Sequence, residues 1–199
     1  MRKFTDKQLL EIAHQDNAIL EVARGYYGLR LYDEAVAEIR KVSQFAKKDA
    51  CYLELRALLH AAKYEWGSSL DCAYHLVQAE PDKPTGLLLK ANALGHIKYT
   101  NARKAEFNTL VDVVGKFPDN AVAKLKLAAV ECRNGRLFSA RRCLIKSFIH
   151  AGKNGEQKFH HNLALDEQDL KPLWRELPRI KEIASRLNRG KTQNENFIP

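Results

Sequence analysis

The sequence predicts an all-α protein built from repeated helix pairs. Three observations carry that expectation. Glycine and proline are sparse, 10 and 6 in 199 residues, and no long run alternates β-branched residues as a half-buried strand would. The stretch Ile19–Val42 reads as two short helices around a tight corner, with Ile19, Val22, Ala23 and Tyr26 before it and Ala35, Ile39 and Val42 after it. That spacing then recurs. A short helix pair cannot bury its own apolar stripe, so it needs copies of itself to stack against.

The elements follow in order. Thr5 is the expected N-cap of a first helix, with Gln8 three residues on as in a capping box. Its apolar face is Leu9, Leu10, Ile12 and Ala13. Asp16-Asn17 is the expected break before Ile19, giving an N-terminal helix over 1–16, although one long helix also fits. The first pair occupies about 17–50. A shift of 34 residues finds a second over 51–83, with Leu53, Ala57, His60, Ser69 and Ala73. There Arg56 and Ser69 stand where an apolar residue and an alanine are expected. The last pair, 121–152, has Leu127, Ala128, an Asn134-Gly135 corner, Ala140 and Leu144, with Lys124 and Glu131 in two slots meant for large residues. Between Ala57 and Ala128 lie 71 positions, two periods and three residues. The third pair, 84–120, therefore carries the excess, near Gly95–Arg103. Its second helix shows the Phe107, Leu110, Val111, Val114 stripe. Residues 153–187 read as capping helices, and 188–199, polar and aperiodic, as a flexible tail.

This pattern resembles the tetratricopeptide repeat (TPR), whose W-x2-L-G-x2-Y…A-x3-F…P signature spans about 34 residues. The resemblance covers roughly 17–152 and is clearest in the first copy, where Tyr32-Asp33-Glu34-Ala35 is typical of the family. Lys47 and Gly152 stand in terminal proline slots. The acidic segment from Asp166 to Trp174 is similar to one that often follows the last repeat in bacterial TPR proteins. The resemblance implies a right-handed α-solenoid of about four helix pairs with a C-terminal helical cap. It also implies a concave groove lined by the first helix of each pair. In that register Leu20, Arg24 and Tyr27, then Leu58, then Asn92 and His96, then Arg133 form the expected partner-binding groove. A competing expectation is that the C-terminal segment folds back into it. Leu20 and Arg24 do not fit the family's clamp for a C-terminal carboxylate, so that specificity is not carried over.

Charge divides the chain. Residues 1–82 carry 11 Lys/Arg against 13 Asp/Glu, residues 83–158 carry 15 against 5, and the rest 7 against 6. The basic middle, notably Lys124, Lys126, Arg133, Arg136, Arg141 and Arg142, points to an acidic protein partner or to nucleic acid. The leading expectation is a non-catalytic adaptor, scaffold or chaperone-like module that binds a peptide or helix. The alternative is an RNA- or ribosome-associated helical repeat, against which few aromatics lie among the basic residues to stack bases.

Chemistry is otherwise scarce. Four cysteines at 51, 72, 132 and 143 form no C-x-x-C pair and read as reduced core residues. No apolar stretch follows Met1-Arg2-Lys3 as a secretory signal requires, and no run approaches the ~20 residues of a membrane span. A cytoplasmic protein without a membrane segment is expected. Gly190-Lys191-Thr192 resembles the end of a phosphate loop, but Ser185 occupies the first glycine position. His160 and His161 point about 100° apart on a helix and make poor joint ligands. Asp71 and His75 share a helix face, yet no further ligands complete a zinc set. Neither catalytic residues, a metal nor a cofactor is expected.

Overall fold

The computed structural model describes residues 5–195, with side chains as far as 189. The described residues form ten α-helices and two 3₁₀ segments, with no strand among them. The helices are α1 (Asp6–Gly28), α2 (Tyr32–Ile39), α3 (Ala50–Ala62), α4 (Trp66–Ala79), α5 (Pro84–His96), α6 (Ala102–Lys116), α7 (Ala121–Arg133), α8 (Leu137–Lys153), α9 (Gln157–Asp166) and α10 (Leu177–Glu195). No helix among the described residues is long and apolar enough to cross a membrane. The chain divides into two compact units, residues 1–106 and 107–199.

In the first unit α1 packs on α2, α3 on α4, and α4 on α5, while α3 also touches α1 and α5. Thr5 closes a capping box, accepting from the Gln8 N–H at 3.3 Å and donating its own N–H to Gln8 Oε1 at 2.9 Å. The helix it starts does not break at Asp16-Asn17 but continues to Gly28. Asp16 faces inward and is buried. Its carboxylate accepts the Ser43 N–H at 2.8 Å and the Ser43 hydroxyl at 2.5 Å. A residue that reads as a helix terminator in sequence thus anchors the chain leaving α2. Ala23, Ala35, Ala57 and Ala73 are fully buried and let the paired helices approach closely. Ser69 belongs with them, because its hydroxyl donates to the Ala57 carbonyl at 2.9 Å and so remains satisfied in the core.

In the second unit α7 and α8 form the central pair. α9 and α10 lie against α8, and the 3₁₀ segment Gln168–Glu176 lies against α7. Leu125, Ala128, Ala140, Leu144, Phe148, Leu170, Leu173, Leu177 and Ile180 belong to one core. The α10 backbone runs on through Glu195, beyond the last periodic residue Leu187. The final residues of the expected tail, 196–199, lie outside the described residues.

The corners repeat more faithfully than the side chains. α1–α2, α3–α4, α7–α8 and α8–α9 are each joined by three residues. The middle one has positive φ in every case: Arg30 at 61°, Tyr64 at 61°, Gly135 at 77° and Gly155 at 74°. The next residue's N–H returns to a carbonyl five positions back. These bonds run from Leu31 to Tyr26 at 2.9 Å, Glu65 to His60 at 2.8 Å, Arg136 to Glu131 at 2.9 Å and Glu156 to Ala151 at 2.8 Å. This is the Schellman closure of a helix end. The α5–α6 connection takes five residues instead, Ile97–Asn101, where the sequence register places its excess. Glycine holds a left-handed corner without penalty, whereas a side chain there costs ~1–2 kcal/mol, partly offset by the greater chain entropy that glycine loses on folding. Replacing Arg30 by Gly is therefore expected to stabilise the first unit by about 0.5–1 kcal/mol. Urea unfolding would register this as a higher midpoint with an unchanged slope.

Candidate partner-binding surfaces

The groove positions of the first unit meet different fates. Leu20 lies in the core at 3% exposure. It fills the space among α1, α2 and α3, so it presents nothing to a partner and is corrected from a groove residue to a core residue. Arg24 remains at the surface, but its Nη2 donates to Glu54 Oε2 at 3.1 Å and ties α1 to α3. Tyr27 is half-buried with its ring tilted 5.7 Å from Tyr32. Burial, and then the neighbouring Tyr32, raise its hydroxyl above the usual tyrosine range. Leu58 and Asn92 are half-buried on α3 and α5. His96 is exposed at the end of α5 and stacks flat on Trp66, with centroids 4.0 Å apart.

The basic positions of the second unit are largely compensated within the chain. Lys124 is a correction to the expected patch, because it is buried at 4% exposure. Its amine donates to the Pro118 carbonyl, and burial pushes its pKa down. The stem fills the slot where the repeat pattern asks for a large apolar residue, while the amine reaches the helix start. Arg136 donates to Glu131 across the α7–α8 corner and lies 5.0 Å over the Phe107 ring. Lys126 faces Glu167 at 3.7 Å, Arg133 donates to Asp169 at 2.9 Å, and Arg141 grips both Glu176 oxygens at 2.6 Å. Arg142 is exposed, 6.0 Å over the Phe138 ring. The Arg141 hydrogen bonds hold the Glu176 carboxyl below its usual range.

The partners of Lys126, Arg133 and Arg141 come from one place, the segment from Glu167 to Glu176. It lies along α7, with Leu170 and Leu173 fully buried, and Trp174 Nε1 donates to the Ala164 carbonyl at 3.2 Å. Within the second unit, the face expected to line a groove through Arg133 is covered by the chain's own acidic segment. The signal was readable in principle, since an acidic, leucine-bearing stretch follows a strongly basic block. Composition alone did not say that the two pair.

One Ser–His contact lies deep in this unit. Ser147 donates its hydroxyl to the Ala121 carbonyl at 2.8 Å, and His160 Nδ1 lies 3.3 Å from Ser147 Oγ. The serine proton is thus spent on the carbonyl, and the histidine must donate from Nδ1, which leaves the serine without a base to activate it. Burial pushes the His160 pKa down, so the neutral ring is the stable form in this core. His160 and His161 share no metal set, and no group of three His, Cys, Asp or Glu among the described residues is placed to hold a metal ion. The Gly190-Lys191-Thr192 run falls on α10 backbone, beyond the described side chains.

No protein-family model matches this chain, and no curated protein or solved structure matches it either.

Proposed function

We propose that the chain is a non-catalytic protein-interaction module of TPR-like helix pairs in a right-handed solenoid. On its first-helix face it takes a peptide or helix of another protein, preferably an acidic one. The corner repeat is the observation that carries this reading. The same closure recurs at Arg30, at Tyr64 and at Gly135, 34 and then 71 positions apart. Serial helix pairs of similar length are the architecture in which each pair buries its neighbour and presents a face for a ligand. The acidic segment held on α7 supports the same chemistry, with leucines set into an apolar floor and carboxylates on its basic rim. The RNA reading has weaker support, because Lys126, Arg133, Arg136 and Arg141 already face carboxylates and Lys124 is buried.

Affinity capture at low and moderate salt with wild type and an Arg24→Ala/Asn92→Ala variant tests the proposal. A specific protein partner is expected with wild type, and its loss with the variant. Absence of any partner, or capture that ignores both substitutions, overturns the reading. Steep, log-linear loss of RNA retention with salt would instead favour phosphate recognition.

A further inference from the structure

The first unit holds an open cleft away from the groove residues above, and its origin is a short helix. α2 has eight residues where α4, its counterpart in the next pair, has 14. At 1.5 Å per residue that leaves about 9 Å of α3 without the cover a full second helix provides. The chain departs at Arg40, is held down by Val42 and Ala46, and is pinned by the Asp16–Ser43 bonds. It re-enters through the 3₁₀ turn Ala46–Lys48. Two adjoining cavities result, of about 800 Å³ and about 360 Å³, with Lys47, Arg56 and His60 in the walls of both.

The charge of these walls is unbalanced. Arg40, Lys47, Lys48 and Arg56 line them, and among the described residues none of the four forms an ion pair. The nearby acids offer little relief. Glu65 is taken by His60 Nδ1 at 2.5 Å, and Asp33 is taken by Lys63 at 2.8 Å. Asp71 is the carboxylate left on the wall. His60 Nε2 is buried there without a hydrogen-bond partner. Arg56 is the central cation, its guanidinium 6.0 Å over the Tyr52 ring. Arg56 and His60 occupy the positions held by Val22 and Tyr26 in the first pair. Both slots are polar in the second pair, and Val22, which holds the first of them in the first pair, is itself 48% exposed. Val36 is the partly exposed apolar side chain of the wall, with the buried Leu53, Leu59 and Ile39 behind it.

We propose that this cleft is a docking site for an acidic peptide segment of a partner protein. Its carboxylates would be received by Arg56 and Lys47, and its apolar side chains would lie against the Val36 side of the wall. Charge complementarity argues for the acid, since clustered cations without counter-charges repel one another until an anion arrives. The mixed lining argues for a peptide over nucleic acid. A phosphate rail needs a long basic stripe, and base recognition needs exposed aromatics, whereas Tyr52 is buried. Residues 1–106 carry 16 Lys/Arg and 14 Asp/Glu, too little excess to draw a polyanion from a distance. The site lies outside the first-helix residues Arg24 and Asn92, so it can fail while the groove reading stands, and the reverse.

The test is fluorescence anisotropy with a labelled twelve-residue peptide of repeated Glu-Glu-Leu, and a twelve-nucleotide RNA as competitor. Wild type should bind the peptide at about 50 mM salt and release most of it at about 500 mM, where screening is strong. The Lys47→Gln/Arg56→Gln variant, its fold checked by circular dichroism, should bind about tenfold or more weakly, the scale of losing two charge-assisted contacts. A Lys146→Gln/Lys153→Gln variant, which removes equal charge from the second unit, should bind as wild type does. The proposal is overturned if wild type does not bind at low salt, or if both variants lose affinity equally. It is also overturned if the RNA displaces the peptide and itself depends on Lys47 and Arg56, which assigns the cleft to phosphate.

Discussion

Replacing Leu173 by alanine should destabilise the second unit by about 2–5 kcal/mol, the range for truncating a fully buried leucine. Leu173 is completely excluded from solvent. It joins Leu170 and Leu177 in the core that Leu125, Ala129 and Cys132 share from α7. Its 3₁₀ segment closes its turns with the poorer geometry of i→i+3 bonds, so side-chain burial does much to secure it. The adjoining ion pairs cannot compensate. Arg141 and Glu176 are 39% and 38% exposed, and pairs of that exposure contribute ~1 kcal/mol or less. Urea unfolding followed by Trp174 fluorescence, in a Trp66→Phe background, reads the loss locally. A second consequence is functional. As the segment loosens, Lys126, Arg133 and Arg141 lose their carboxylates, so the variant should elute from a cation exchanger at higher salt than wild type. Unchanged stability and unchanged elution would mean that the segment is not what covers α7.

Substituting Gly86 by alanine should cost about 1–3 kcal/mol, the range for overpacking a close contact. A Cβ at Gly86 would sit 2.9 Å from the Val77 backbone nitrogen and 2.9 Å from Val77 Cγ2. The Val77 side chain can rotate away, but the backbone nitrogen belongs to α4 and cannot move alone. The α4–α5 pair must therefore open. Gly25, inside α1, has nothing within 4 Å of the same added atom. There alanine should stabilise by up to ~1 kcal/mol, because it limits the unfolded chain without meeting anything in the folded one. The same substitution thus has opposite expected signs at two helical glycines of one unit. Urea midpoints followed by Trp66 in a Trp174→Phe background decide it, and equal shifts for both variants would refute the packing argument.

Several departures from the repeat pattern have individual physical explanations. Ser69 replaces an alanine because its hydroxyl finds the Ala57 carbonyl. Lys124 replaces a large apolar residue because its stem can be buried while its amine reaches Pro118. Glu131 does so because Arg136 receives its carboxylate at the corner. Arg56 stands at the surface, in a slot that is exposed at Val22 too. In the first three cases the residue type was visible in the sequence, but the neighbour that makes it tolerable came from a different helix. The expected break at Asp16-Asn17 failed for a related reason. Asp16 is a poor interior helix residue by propensity, and the long-range bonds to Ser43 outweigh that local preference.

The sequence by itself determined the helical class, the Thr5 cap, the corner at Asn134-Gly135, and the place of the longer α5–α6 connection. All of these follow from local chemistry: apolar period, capping oxygens, and glycine where φ must be positive. It did not determine which residues remain available to a partner. Leu20 and Lys124 were expected at a surface and are buried, while Lys126, Arg133 and Arg141 were expected free and are met by Glu167, Asp169 and Glu176. The tertiary structure decided this, because burial and charge pairing depend on which distant segment is laid against a helix, and the spacing of residues along one chain does not contain that information.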